Sequence, residues 1–502
     1  MLDHLPALQI VIPLLAAPFC LLIRQKSLVQ IWSMLAAWAS CFVAWQLVNQ
    51  VIVDGPIAYQ LGDWPASMGI EYRIDAANAF LLLIVTGIAS IVFPFGFGQH
   101  GVSGPEGKEH LFHAALLLCM TGLLGIAITG DMFNVFVFLE VTSLSSYALV
   151  AMGRGRRAPM AAYSYLIMGT IGGTFILVGI GFIYAIAGTL NMAEISEALR
   201  RPGMLSNATV IVSFGFLTVG VSIKLAVFPL YQWLPNAYSF APSKVSAFLS
   251  ATATKVSYYV LLRLFFGIFG AAFIFKTINF QSILLPLSVI AMFVGSIAAI
   301  YQTNIKRLLA YSSIAQVGYM TLGISLVNLD ALTGGIVHLF NHAVMKCGLF
   351  LVVGCIAYRT GSTTIADMKG LAKRMPLTTA AFIIGGLSLI GVPGTVGFVS
   401  KWYLVVGALN GGHHVVAALT LISSLLAVIY VWKVVEVAVF GQPDEPVQRH
   451  VAPASMLIPA WVLMGAAVYY GLDTEVTVGI ARHAAESLMG AASTLTPTGG
   501  LP

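Results

Sequence analysis

The sequence predicts an all-α polytopic membrane protein, and three observations carry that prediction. Of its 502 residues, 59% are hydrophobic and only 9% are charged. The mean hydropathy is +0.91, far outside the range of soluble globular chains. Apolar runs of about 20 residues recur along the whole chain, the length a helix needs to cross a hydrocarbon layer. Backbone N–H and C=O groups facing lipid have no water to bond, so such runs must be helices and their number sets the fold.

Apolar runs bounded by turn and charge signals give about fourteen spans. They are centred near Ile12, Ala39, Thr86, Leu118, Leu139, Thr174, Gly220, Ala253, Ala291, Val317, His342, Leu389, Leu421 and Val462. In the first, Asp3 precedes the apolar run and Arg24 and Lys26 follow it. A cleaved secretory signal needs the opposite charge order, so this is a transmembrane helix. With the N-terminus outside, the basic clusters fall together on the cytoplasmic side: Arg24 and Lys26, then Arg154, Arg156 and Arg157, then Lys306 and Arg307, then Arg359, Lys369, Lys373 and Arg374. That is the positive-inside pattern. Asp54, Asp63, Glu71 and Asp75 fall outside, and an even helix count places the C-terminus there too. No soluble domain separates the spans, so residues 1–502 form one membrane domain with a more polar tail over 472–502.

Two spans are interrupted at corresponding places. In the seventh, Pro229 lacks an amide N–H and its ring crowds the carbonyl of Leu225. In the twelfth, Gly391-Val392-Pro393-Gly394 breaks the helix outright. Each break lies within about two turns of a lysine, Lys224 and Lys401. Paired discontinuous helices are the sequence mark of an ion site between inverted repeats. By that analogy residues 110–270 form the first five-helix repeat and 282–440 the second. The alternative is that both breaks are simple kinks, since Pro and Gly are common in membrane helices.

The charges inside the spans bear on function. A Lys or acid at the centre of a bilayer costs about 2.5–3.5 kcal/mol on insertion scales, so it normally faces a bundle interior or a wet cavity. Glu140, Lys224, Lys255 and Lys401 all sit at such depth. Burial disfavours a charged lysine and a nearby carboxylate favours it, so a moving carboxylate can make a lysine release its proton. A structural ion pair or a bond to backbone carbonyls is the alternative for each. Asp131, at the start of its helix, suits the positive end of the helix dipole. His338, His342 and Lys346 recur at intervals of four and share one helix face. Two histidines so placed can hold zinc, but no third ligand follows. A proton relay or hydrogen bonding between helices remains. Lys244 lies eleven residues before Lys255, near the membrane boundary, where snorkelling also explains it.

Other chemistries find little support. The five cysteines, Cys20, Cys41, Cys119, Cys347 and Cys355, lie scattered in apolar segments without C-x-x-C spacing. That disfavours iron–sulfur, zinc and disulfide frameworks and suits buried core thiols. There is no dinucleotide fingerprint or haem motif, so direct redox catalysis is disfavoured. The net charge of +6 reflects loop bias; no basic run with interleaved aromatics suggests nucleic acid. No cofactor or metal is expected.

Three stretches carry a resemblance: KLAVFPLYQWLPNAYSFAPSKVSAFLSATATKVSYYVLLR from Lys224, NIKRLLAYSSIAQVGYM from Asn304, and GVPGTVGFVSKW ending at Trp402. They resemble the antiporter-like subunits shared by respiratory complex I and Mrp-type sodium/proton antiporters, and the likeness covers nearly the whole chain. It implies fourteen helices, two inverted five-helix repeats and broken helices 7 and 12. Residue by residue, it implies that Glu140 is the helix 5 glutamate, Lys224 its lysine partner on helix 7 and Lys255 the central lysine of helix 8. His338 and His342 fall in the helix 11 relay region, and Lys401 is the terminal ionisable residue of helix 12. The stretch FNVFVFLEVTSLSSYAL and the lysine at the helix 12 position look most like the D-type subunit of Mrp antiporters. A proton-pumping subunit of complex I or of a membrane-bound hydrogenase is the alternative. The resemblance implies a proton-translocating subunit in a bacterial or archaeal membrane, with other membrane subunits, protons and lipid as partners and sodium as a further candidate. It implies no enzymatic activity of the chain's own; a quinone-oxidoreductase name would come from membership of a complex. A scaffold that has lost transport is a third reading, which the intact charge series opposes. The roles of Lys244 and Lys346 stay open.

Overall fold

The computed structural model describes residues 4–66, 68–102, 104–442 and 451–493. Helices α1 (Leu5–Leu22) and α2 (Lys26–Asp54) lead through a hairpin, β1 (Ile57–Gln60) with β2 (Glu71–Ile74), into α3 (Ala76–Val92). Next come α4 (Glu109–Ile128), α5 (Met132–Ala151), α6 (Arg157–Ala187), the short α7 (Met192–Leu199), α8 (Ala208–Leu225), α9 (Trp233–Phe240) and α10 (Ser243–Leu262). The chain continues through α11 (Gln281–Ile300), α12 (Ile305–Ser325), α13 (Leu329–Thr360), α14 (Leu371–Arg374), α15 (Pro376–Ile390) and α16 (Val396–Asn410). It closes with α17 (His414–Phe440), α18 (Ala454–Leu472) and α19 (Glu475–Ser493).

Eleven of these helices are long and apolar enough to cross a membrane. The other three expected spans fall short for physical reasons. The α3 helix has 17 residues. The interrupted twelfth span is two helices of 15 residues, α15 and α16. The α12 helix has 21 residues, but its polar side chains, among them Ser312, Gln316 and Thr321, are buried among neighbouring helices instead of facing lipid.

Polar side chains fix where several helices begin. Asp75 accepts from the amides of Ala77 and Asn78 while Asn78 returns a bond to the Asp75 amide, a reciprocal capping box at the head of α3. Asp131 accepts from the Asn134 amide at 2.7 Å and caps α5, as its position in the sequence suggests. Asn207, Asn304 and Asn328 do the same for α8, α12 and α13.

The two interrupted spans break as expected, with one shift in register. The α8 helix ends at Leu225, four residues before Pro229, because Ala226 adopts a left-handed conformation with φ +63°. Pro229 can neither donate to the Leu225 carbonyl nor let its ring pass it, so the chain turns early. The α15 helix ends at Ile390, and Gly391 takes φ +92°. The stretch expected as a polar tail is helical as far as Ser493. Val478, Ala481, Ala484, Ala485 and Leu488 recur at helical spacing and are buried where α19 packs on α13 and α3, an amphipathic stripe on a helix too polar to read as a span. Residues 494–502 lie outside the described residues.

Packing repeats in the two halves: α4 lies along α5 and α6 along α8, and likewise α11 along α12 and α13 along α16. The α10 helix is the hub. It touches α3, α4, α8 and α13, and every residue from Lys244 to Leu262 is buried.

Candidate functional site

Adjacent helices bring the six candidate residues into one row. Glu140 on α5 meets Lys224 on α8, α8 packs on α10 with Lys255, α10 packs on α13 with His338 and His342, and α13 packs on α16 with Lys401.

At the first break, Lys224 Nζ lies 3.4 Å from Glu140 Oε1 and donates to Ser143 Oγ at 2.7 Å. Lys224 is on the last turn of α8, where unpaired carbonyls concentrate negative charge. Gly173 on α6 makes room for the acid, since a Cβ there would collide with Oε1. The side chain of Lys224 is 7% exposed and that of Glu140 28%. The ammonium is thus enclosed while the carboxylate reaches the edge of the bundle.

Lys255, midway along α10, is fully buried; its ammonium donates to the Ser250 carbonyl and, at 3.3 Å, to Thr254 Oγ1. On α13 the His338 and His342 rings stack at 5.8 Å with 11° between their planes, which realises their four-residue spacing. His338 Nδ1 bonds Ser400 Oγ at 2.7 Å. His338 Nε2 and both nitrogens of His342 are buried without a partner among the described residues. One turn further, Lys346 donates to the Leu309 carbonyl at 2.8 Å and to Ser312 Oγ.

At the second break, Lys401 donates to the carbonyls of Leu389 at 3.1 Å and Ile390 at 2.8 Å, and to Ser424 Oγ at 2.8 Å. Those carbonyls end α15, so the cation sits at the negative end of a helix. Its Nζ also lies 4.9 Å from the centre of the Tyr319 ring, a cation–π contact. Tyr319 packs against His338 at 5.8 Å and donates to Ser423 Oγ at 3.0 Å. It therefore bridges the histidine pair and the last lysine.

Other lysines, buried at Lys244 and Lys306 and partly buried at Lys433, bond carbonyls near helix ends. Lys244 donates to Phe93 at 3.0 Å, Lys306 to Ala241 at 3.0 Å and Lys433 to Ile300 at 2.9 Å. Ser143, Ser400, Ser424, Tyr319 and Gly173 are inconspicuous in the sequence. Helical spacing from Glu140 to Ser143 is the one available signal for any of them.

Two acids lie outside the spans. Burial pushes the Asp75 carboxyl up, but the adjacent Arg263 guanidinium and two backbone amides outweigh it and hold the group below its usual value. At Asp131 burial prevails over its amide bonds and the carboxyl is raised.

A buried series of cations and imidazoles across a bundle of membrane helices, with two spans broken beside lysines, defines an antiporter-like membrane subunit. The chain belongs to the family described as NADH:quinone oxidoreductase/Mrp antiporter, transmembrane, whose pattern matches residues 129–427; all six candidate residues lie in that range. It is 40% identical over 496 residues to the N subunit of the NADH-quinone oxidoreductase of Desulforudis audaxviator, covering 95% of this chain and 97% of the relative. It is 30% identical over 490 residues to the D-type subunit of the Na+/H+ antiporter of Bacillus subtilis, covering 97% of this chain and 98% of the relative. Among solved structures, a chain of the Mrp complex from Dietzia superposes with a TM-score of 0.88 at 24% identity, over 98% of both chains. A chain of an archaeal membrane-bound sulfane sulfur reductase gives 0.88 at 28% identity, over 98% of this chain and 99% of that one.

Proposed function

We propose that this chain is the proton-translocating, D-type subunit of a multisubunit sodium/proton antiporter in a bacterial or archaeal cell membrane. Protons move along Glu140, Lys224, Lys255, His338, His342 and Lys401. The Glu140–Lys224 contact is the observation that carries this reading. A buried ammonium is stable while the carboxylate lies 3.4 Å away. When the acid moves off, the charge is left in low dielectric, and losing a proton relieves that cost. The α10 lysine then receives what Lys224 releases, and the histidine pair with Tyr319 links it to Lys401.

Further support comes from the ends of the bundle. A cavity of about 300 Å³ at the acidic end is lined by Glu71, Asp75, Tyr259 and Arg263 among others. One of about 510 Å³ at the basic end is lined by Arg154, Asn304, Lys306 and Tyr358 among others. Both carry polar groups in their lining and are roomy enough for water. Glu140 is partly exposed at mid-span, where lipid is a poor neighbour for a carboxylate; another membrane subunit covering α5 supplies a better one. The repeated helix pairing supports inverted repeats over 110–270 and 282–440, and the charge of the loops supports termini outside.

Lys255→Ala in vesicles carrying the full complex should abolish sodium-dependent proton movement without loss of the assembled complex; movement at the unmodified rate would contradict the reading. The 40% identity to the N subunit of a quinone oxidoreductase favours a second one, a proton-pumping subunit of a complex I or hydrogenase. In that case proton movement in the same vesicles follows electron transfer and ignores a sodium gradient.

A further inference from the structure

The cavity of about 510 Å³ at the basic end of the bundle has charge of one sign on its wall. Two cations reach it, Arg154 just past the end of α5 and Lys306 in the first turn of α12, and none of its described lining residues is acidic. Lys306 is 6% exposed and donates to the Ala241 carbonyl at 3.0 Å. Neither cation pairs with a carboxylate among the described residues. The wall is also shaped around the arginine. Gly101 has φ +69°, and a Cβ there would overlap the Arg154 guanidinium, so glycine at this position lets the arginine lie against the cavity.

Helix ends sharpen the charge. Asn304 turns its side chain inward, accepting from the Arg307 amide at 3.2 Å and donating to Thr363 Oγ1 at 2.6 Å, while Pro242 gives the first turn of α10 no side-chain acceptor. Both helix starts line the cavity and add positive field to that of the side chains. The ends of α5, α9 and α13 come to the same wall, but carbonyls there are met within the protein: Val150 by the Gly153 amide, Ala241 by Lys306 and Ala357 by the Gly361 amide. A structural lysine that ties α12 to the end of α9 explains the Ala241 bond. It does not explain the charge, since a neutral amide makes the same bond and a buried cation without a counter-ion is unfavourable. The ammonium has three N–H donors, and the Ala241 bond uses one.

We propose that this cavity is an anion site that takes a phosphate group, with Lys306 and Arg154 as its counter-charges and the hydroxyls of Ser243 and Thr363 on its wall as further polar partners. The phosphate is that of an anionic phospholipid or is free in solution; the two sources offer the same oxygens. Basic pockets between membrane helices take anionic headgroups in this way, and Phe95, Val102, Phe240 and Met456 on the wall suit the apolar part of a lipid. The site lies apart from the row of charges and does not depend on which complex the chain serves.

The test is native mass spectrometry of the purified, delipidated full complex, reading what stays on this subunit when it is released. Phosphatidylglycerol, phosphatidylcholine and inorganic phosphate are titrated separately against the unmodified chain, Lys306→Gln and Arg154→Gln. Arg154 is exposed in a loop, so its variant decides the matter if Lys306→Gln fails to assemble. The site predicts that phosphatidylglycerol is retained in preference to phosphatidylcholine and that each variant weakens retention by about tenfold or more, the size of one charge-assisted hydrogen bond. If inorganic phosphate is retained instead, with the same loss in the variants, the site stands and solution is its source. Retention unchanged in Arg154→Gln, phosphatidylcholine held as strongly as phosphatidylglycerol, or no retention of any of the three overturns the proposal.

Discussion

The two breaks hold their lysines in different ways. At the first, Lys224 is answered by a carboxylate on another helix, with one further bond, to Ser143. At the second, Lys401 is answered by two carbonyls of its own broken span, a serine and an aromatic face. The carboxylate sits on a rotatable side chain at the bundle edge, so its contact can open. The carbonyls are fixed by the helix they end, so their field is constant. In this account the first break switches the proton affinity of its lysine and the second supplies a permanent cation station. Lys401 resembles Lys244, Lys306 and Lys433 in seeking a carbonyl near a helix end, whereas Lys224 meets an acid.

That contrast can be broken experimentally. The largest effect is expected from Lys401→Glu, which sets a carboxylate against two carbonyl oxygens. Little assembled complex and no proton movement should result, and a fully active variant would show that the second site is not built for a cation. Next comes Gly173→Ala. The new Cβ would collide with Glu140 Oε1, so the acid must retreat by about 1 Å, and misplacement on that scale costs up to about a hundredfold in rate. Transport assays should show the loss with assembly intact, whereas Gly386→Ala, on α15, should affect packing against Val431 and not this contact.

The smallest effect concerns the acidic end and the scaffold. Asp75 is held below its usual value in the folded protein, so its contribution is present at neutral pH and is lost as pH falls through that lowered value. The melting temperature of the solubilised protein should therefore decline on acidification below about pH 4, the ordinary carboxylate range. Arg263→Ala, which removes the guanidinium that bonds Asp75, should flatten that limb.

Much of the row is legible in the sequence because a charge inside an apolar run is conspicuous: Glu140, Lys224, Lys255 and Lys401 announce themselves by depth, and His338 and His342 by spacing. Their partners do not. Serine and tyrosine are ordinary in membrane helices, so Ser400, Ser424 and Tyr319 acquire meaning only once α12, α13, α16 and α17 are packed together. Gly173 matters through what it leaves empty, which no single-helix pattern records. Hydropathy likewise undercounts α12, whose polar residues are hidden by neighbours. The first break falls at Ala226 and not at Pro229 because the proline acts on the carbonyl four residues earlier.

The central claim is that the Glu140 carboxylate controls the charge of Lys224. Glu140→Gln keeps the shape and a hydrogen-bonding oxygen but removes the charge. Proton movement in vesicles carrying the full complex, measured at equal assembly, should cease in this variant. Movement at the unmodified rate would contradict the account.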